Sequence, residues 1–227
     1  SPRRRILDGR WPGFLKRFVR HAERRHHNML TREQLLAIFC KTKALQRGHF
    51  ELSSGLHSGH YFQCAQFLQH PRLAARVCRD LAQRFRAKRP TVVIGPAVGG
   101  IVVAYEVARA LGVRALYAER VDAEMQLRRG FSVGPKDLAL IVEDVITTGE
   151  SARKVGELAE ALGAKVLGVG VIVDRSGGTV RFTRRWRYER LFTLDFGNFT
   201  PHRCPLCKER VPLAHPGSVR RKTSHAE

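Results

Sequence analysis

Two spacings of apolar residues alternate along the middle of this chain. Short unbroken runs, Thr91 to Gly95 (TVVIG), Val113 to Ala118, Ala139 to Val142 and Val166 to Val173, have the length of strands and are rich in Val, Ile and Leu. Runs of this kind belong to strands covered on both faces, as in a parallel sheet. Between them lie stretches with helical spacing. His70-Pro71 opens one, with Leu73, Val77, Leu81 and Phe85 recurring every four residues; Ile101 to Leu111 is apolar nearly all round, and Glu150 to Leu162 is a third. Nearer the start, Thr31 and Gln34 have capping-box spacing, with Leu35, Leu36, Phe39 and Leu45 as the expected buried side. His49 to Ala65 predicts an extended segment that enters a Ser/Gly loop and returns through Tyr61 and Phe62. Val180 to Phe196 predicts one more strand. Strands alternating with helices predict an α/β fold, a doubly wound and mostly parallel sheet.

The run from Ala139 to Ser151 (ALIVEDVITTGES) organises this pattern. Its apolar lead is a buried strand. Glu143 and Asp144 follow, then Val145 and Ile146, then Thr147, Thr148, Gly149, Glu150 and Ser151 opening a helix. Hydroxyls, a glycine and the free amides of a helix start make a phosphate cradle. Two carboxylates at the carboxyl end of a strand lie where open α/β sheets bind ligands. Together they suit a phosphorylated sugar.

Other stretches add candidate chemistry. Pro96-Ala97-Val98-Gly99-Gly100 between strand and helix is a second phosphate-binding candidate, or a tight turn. Glu119 to Gly134 is polar and lacks strong periodicity; with Arg120, Arg128 and Arg129 it reads either as a mobile basic hairpin closing over an anion or as a solvated one. Arg175, beside Gly177 and Gly178 after a strand, is placed to fork onto a carboxylate, or is a solvated turn residue. Tyr61 and Phe62 read as core or as a platform for a flat ring. Cys204 and Cys207 form one CxxC, flanked by His202 and His215. They could contribute to a zinc site, but with no second CxxC they are expected to be a structural turn with incidental thiols, and no metal ligand is assigned.

Composition changes the picture only at the start of the chain. The 227 residues, 43% hydrophobic, suffice for one domain with a core, and no apolar run reaches the length of a membrane span. Five cysteines and no secretory signal indicate reduced thiols and a cytoplasmic location. The net charge of +21 raises nucleic acid as a partner, but residues 1–28 hold nine Lys/Arg and two Asp/Glu, leaving 32 against 18, or +14, for the remainder. That remainder fits a protein handling polyanionic small molecules, and nucleic acid is not the expected partner. Trp11, Phe14, Leu15, Phe18 and Val19 place an apolar stripe on this basic segment, which reads as a docking helix or, as expected here, a poorly ordered extension. The working division is therefore 1–28, extension, and 29–227, domain.

Leu140 to Ser151, with its two acids, two apolar residues and Thr-Thr-Gly, resembles the phosphoribosyl-diphosphate signature of the type I phosphoribosyltransferases. The segments FELSSGLHSGHYFQCAQ, GPAVGGIVVAYEVARALG, LRRGF, DRSGG and CPLC…PGS narrow the resemblance to the orotate-using branch, over about Leu30 to Ser218. The resemblance implies the type I fold with a small base-binding hood from N- and C-terminal segments. It implies transfer of phosphoribosyl from its diphosphate to orotate, giving orotidine monophosphate and diphosphate in pyrimidine biosynthesis, with Mg²⁺, in a cytoplasmic homodimer whose mobile hairpin reaches the neighbouring active site.

Carried over by position, Glu143 to Ser151 binds phosphoribosyl diphosphate, with Glu143 and Asp144 on the ribose hydroxyls and Thr147 to Ser151 on the phosphate. Thr147 and Arg175 contact orotate, Phe50 to Phe62 closes over the base, and Ala97 to Gly100 holds the diphosphate. Glu143, Asp144 and Arg120 are the expected catalytic residues.

Departures from the family pattern are Ser53 and Gly99, where family members often have Lys. Val121, Glu124 and Gln126 stand where lid Lys and His are missing, leaving Arg128 and Arg129 to supply that charge, and Glu150 replaces Gly. An acid beside a phosphate cradle weakens it unless it points outward. Two other readings remain: a phosphoribosyltransferase for another base, and a ligand-sensing, nucleic-acid-binding regulator on the same fold.

Overall fold

The computed structural model describes residues 29–52 and 54–216. The chain divides into two units between Leu30 and Thr31. The apolar stripe on residues 11–19 lies outside the described residues, as does Ser53.

The second unit begins with helix α1 (Arg32–Lys41), and both capping-box bonds form: the Gln34 amide donates to Thr31 Oγ1 at 3.3 Å, and the Thr31 amide to Gln34 Oε1 at 3.1 Å. Its buried face is Leu35, Ile38 and Phe39. Leu36 is exposed, correcting the expected face by two positions, and Leu45 belongs to the following strand. Strands β1 (Leu45–Glu51) and β2 (His57–Phe62) form an antiparallel pair. A short helix α2 (Ala65–Leu68) precedes α3 (Pro71–Phe85), which buries Val77, Cys78, Leu81 and Phe85. Cys78 is part of the packed face.

The remaining elements alternate as expected: β3 (Val92–Pro96), α4 (Gly99–Leu111), β4 (Arg114–Val121), β5 (Glu124–Leu127), β6 (Leu138–Ile146), α5 (Glu150–Ala161), β7 (Lys165–Asp174) and β8 (Arg187–Thr193). The last segments are β9 (Asn198–Phe199), helix α6 (Pro205–Lys208) and β10 (Leu213–Ala214).

Two sheets result. The large one has order β5-β4-β3-β6-β7-β8, parallel throughout except for β5, which runs antiparallel at the edge. Its centre is dry: Val92, Val93, Ile94, Leu140, Ile141, Val142, Val169, Val171, Ile172 and Val173 are fully buried. Each such side chain contributes about 1.5–3 kcal/mol relative to exposure, which is why the β-branched runs are continuous here rather than alternating. Helix α5 packs closely enough that Gly156 lies against the Trp186 indole, leaving no room for a Cβ. The small sheet has order β10-β1-β2-β9, so segments from both ends of the unit build one hood.

The connectivity locates the site. From β3 the chain moves outward to β4 and β5, then returns to place β6 on the other side of β3. This reversal is the topological switch point, and it opens a crevice beyond the carboxyl ends of β3 and β6.

Candidate active site

At that crevice β6 ends in Glu143, Asp144, Val145 and the buried Ile146, and the chain turns through Thr147 and Thr148, both exposed, to Gly149. Gly149 is left-handed (φ 74°), and a Cβ there would stand 2.9 Å from Val180. Position 149 therefore requires glycine on two grounds. Gly149, the N-cap of α5, has no side chain to offer the helix, and the Glu150 amide donates to Thr148 Oγ1 at 3.3 Å. The turn thus brings hydroxyls and a helix start together, the kind of arrangement that can receive an anion.

Glu143 and Asp144 are half-buried and each has a local partner. The Ala152 amide donates to Glu143, and the Cys64 thiol and the amides of Val145 and Asp144 donate to Asp144. Burial, and secondly the charge of Asp144, push the Glu143 carboxyl up to about 8. Burial likewise raises Asp144 despite its donors. Cys64 is held as a thiol, because burial and the neighbouring Asp144 raise it well above its ordinary value. Without a cation, the pair resists carrying two charges.

The loop after β3 meets this pair directly. It contains a cis peptide bond between Ala97 and Val98, and a Cβ on Gly99 would lie 2.6 Å from both carboxylate oxygens of Asp144. Gly99 is thus where the second phosphate-loop candidate and the acid pair come together. On the other side, the Arg175 amide donates to Ile146 O at 2.8 Å, so Arg175 begins one strand away from the cradle. Its guanidinium is half-buried, and no ion pair involves it among the described residues. Burial lowers its proton affinity, partly offset by Tyr61 nearby. Alternation on β2 separates the two aromatic alternatives: Phe62 is core, edge-on to Phe39 at 5.0 Å, while Tyr61 is half-buried on the Arg175 side.

The segment 119–134 is more regular than its composition suggested. Four residue pairs join β4 to β5 through a turn with Asp122 (φ 47°) and Ala123 (φ 70°), and Met125 enters the core. Arg120, Arg128 and Arg129 are all exposed; Arg129 is committed to Glu119 by two bonds of 2.9 and 3.1 Å, and Arg120 donates to Ala123 O at 3.3 Å. Lys154, which the residue pattern did not single out, bonds Ala123 O at 3.1 Å and lies 3.7 Å from Glu124 and 3.6 Å from Glu150. Glu150 is exposed and turned to that lysine one helical turn on.

Residues 63–184 match the family described as Phosphoribosyl transferase domain. The chain is 53% identical over 189 residues to the orotate phosphoribosyltransferase of Pelotomaculum thermopropionicum, covering 83% of this chain and 98% of that protein. It belongs to the orotate phosphoribosyltransferases. The same protein of Desulforamulus reducens is 50% identical with equal coverage. Among solved structures, that of orotate phosphoribosyltransferase from Aeropyrum pernix superposes with a TM-score of 0.60 at 28% identity, over 70% of this chain and 93% of that one. The fold is that of the type I enzymes, a mostly parallel sheet flanked by helices. As an orotate phosphoribosyltransferase the chain is a transferase, and among its described residues no helix is long and apolar enough to cross a membrane.

Proposed function

We propose that this chain transfers the phosphoribosyl group of phosphoribosyl diphosphate to orotate, releasing diphosphate, with the following division of labour. Thr147, Thr148, Gly149, Glu150 and Ser151 receive the sugar phosphate on the amides of α5. Glu143 and Asp144 receive the ribose hydroxyls. Ala97 to Gly100, against Asp144, receives the diphosphate. Thr147 and Arg175 receive orotate, whose flat ring lies beside Tyr61.

The chemistry follows from these placements. As the bond from the anomeric carbon to diphosphate breaks, positive charge develops on the ribose ring, and carboxylates beside the ring stabilise it. Burial makes ionised Glu143 costly in the free protein, so its interaction with developing positive charge is strongest when that charge appears. Arg175 fixes orotate through its carboxylate and so aims a ring nitrogen at the same carbon.

Mg²⁺ fits this donor set. Two adjacent half-buried carboxylates with raised proton affinity are a hard-oxygen pair with no ion-pair partner among the described residues, and Mg²⁺ is usually held by one or two carboxylates plus substrate phosphates. Glu143 and Asp144 would hold it, and when bound it would neutralise charge developing on the departing diphosphate. The reading extends to a cytoplasmic homodimer. Five free cysteines suit a reducing compartment. Val98, Val102 and Tyr105 form an exposed apolar stripe along α4 that suits a partner, and the exposed Arg120 and Arg128 are available to a neighbouring site.

The observation that carries orotate rather than a neutral base is Arg175: a half-buried cation with no carboxylate partner among the described residues, one strand from the cradle. The test is absorbance-monitored consumption of orotate with phosphoribosyl diphosphate and Mg²⁺, with adenine and uracil as competitors. Orotate should be consumed and neither competitor should inhibit; no consumption at saturating donor removes the reading.

A further inference from the structure

Cys204 and Cys207 do not stand alone. His49 on β1 and His57 on β2 face them, and the four ligand atoms lie within 4.8 Å of one another. His49 Nε2 is 2.9 Å from His57 Nδ1, 3.4 Å from Cys204 Sγ and 3.7 Å from Cys207 Sγ, and Cys207 Sγ is 3.3 Å from His57 Nδ1. A zinc ion with bonds of about 2.0–2.1 Å to nitrogen and about 2.3 Å to sulfur has ligand–ligand edges of roughly 3.3–3.8 Å. Four edges of this cluster are already within about half an ångström of those values. His202 and His215, the histidines nearest in sequence, are elsewhere: His202 is exposed, and His215 pairs with Glu51 at 2.9 Å.

We propose that His49, His57, Cys204 and Cys207 bind one Zn²⁺ as a structural site. Three features of the fold aim the ligands. A register shift in β1 between Arg47 and Phe50 lets consecutive residues His49 and Phe50 both turn inward, which a regular strand forbids. Cys204 precedes α6 and Cys207 lies on its single turn, so the two sulfurs face the same side. His49 Nδ1 is 2.8 Å from Val211 O; a carbonyl only accepts, so Nδ1 carries the proton and the Nε2 lone pair points into the cluster.

The donor set selects the ion. Two thiolates and two imidazoles suit zinc and exclude Mg²⁺ and Ca²⁺, and four protein ligands leave no open position for catalysis. On binding, both thiols release their protons, so the ion and two thiolates are jointly neutral. The site explains how so small a hood holds. Strands β9 and β10 each contribute two residues, and His49 and Cys204 are 155 positions apart, yet the segment that closes over the base is built on this sheet. Zinc would pin the C-terminal segment to the β1–β2 hairpin.

The test uses the full chain, purified without chelator. Elemental analysis should find one zinc per chain. After the metal is stripped and the thiols kept reduced, added Co²⁺ should give the intense d–d bands of a tetrahedral site together with a thiolate charge-transfer band. Cys204→Ser with Cys207→Ser should abolish both signals and raise KM for orotate more than KM for phosphoribosyl diphosphate. Wild-type protein without zinc, with both thiols freely titratable and only an octahedral Co²⁺ spectrum, overturns the site. The Co²⁺ measurement needs no variant to fold and no catalysis, so its outcome is independent of the assay for orotate transfer.

Discussion

Gly99→Ala isolates the contact on which the site's two loops depend. A Cβ at this position would lie 2.6 Å from Asp144 Oδ1 and Oδ2, so either the carboxylate or the loop must retreat by several tenths of an ångström. Gly99 lies at the start of α4 with no positive φ, so the substitution brings steric conflict without backbone strain. Overpacking of this kind costs about 1–3 kcal/mol. For a chain of this size that lowers the melting temperature by roughly 2–4 °C per kcal/mol. If Asp144 moves, the diphosphate loop and the ribose acid lose their mutual position, and kcat/KM for phosphoribosyl diphosphate falls by about 10–100-fold, a factor of ten for each ~1.4 kcal/mol. The decisive measurement is a double-mutant cycle by thermal unfolding. In the Asp144→Ala background the carboxylate is gone, and Gly99→Ala should cost little. An equal cost in both backgrounds, or no cost in the wild type, would refute the contact.

Four further outcomes follow from the same geometry. Arg175→Ala should raise KM for orotate about 10–200-fold, the loss of a charge-assisted pair worth roughly 1.5–3 kcal/mol, while KM for phosphoribosyl diphosphate stays near wild type in steady-state assays. Glu143 has a folded-state proton affinity raised to about 8, so the folded protein holds a proton that the unfolded chain releases, and stability should decline as pH rises from about 4.5 to about 8. In that window, binding of phosphoribosyl diphosphate with Mg²⁺ should release a proton, seen by calorimetry in buffers of different ionisation enthalpy, and Glu143→Gln should abolish the release. Lys154→Ala should change stability by less than about 1 kcal/mol, since its pairs are partly solvated, yet raise KM for phosphoribosyl diphosphate several-fold by leaving Glu150 unmatched. Adding Glu150→Gln should restore it.

The parallel core was readable because burial on both faces demands unbroken β-branched runs, and β3, β6 and β7 have them. The cradle was readable because its chemistry is local: strand, acids, hydroxyls and glycine are consecutive. What escaped is long-range or depends on register. Ile38 rather than Leu36 is buried because the helix face is set by what lies beneath it. Cys64 against Asp144 and Lys154 against Ala123 join segments whose sequences carry no mutual signal. His49 and His57 drew no attention because nothing local announces that a CxxC some 150 positions later closes on them. Glu150, a blemish by composition, is explained by its neighbour one helical turn on.

The hood joins two segments far apart in the sequence through a parallel pairing of β1 with β10, His49 opposite Leu213. This has a consequence for biosynthesis. While the ribosome is still making the chain, the large sheet can assemble as its strands emerge in order, since every partner lies between residues 92 and 193. The hairpin of β1 and β2, made first, must wait for residues 198–214 before its outer edges are covered. The nascent protein therefore acquires its sugar-phosphate cradle before it acquires a finished roof over the base. On the proposed assignment of the hood to the base, competence toward orotate should be the last property to mature, with the outer edges of β1 and β2 uncovered until then.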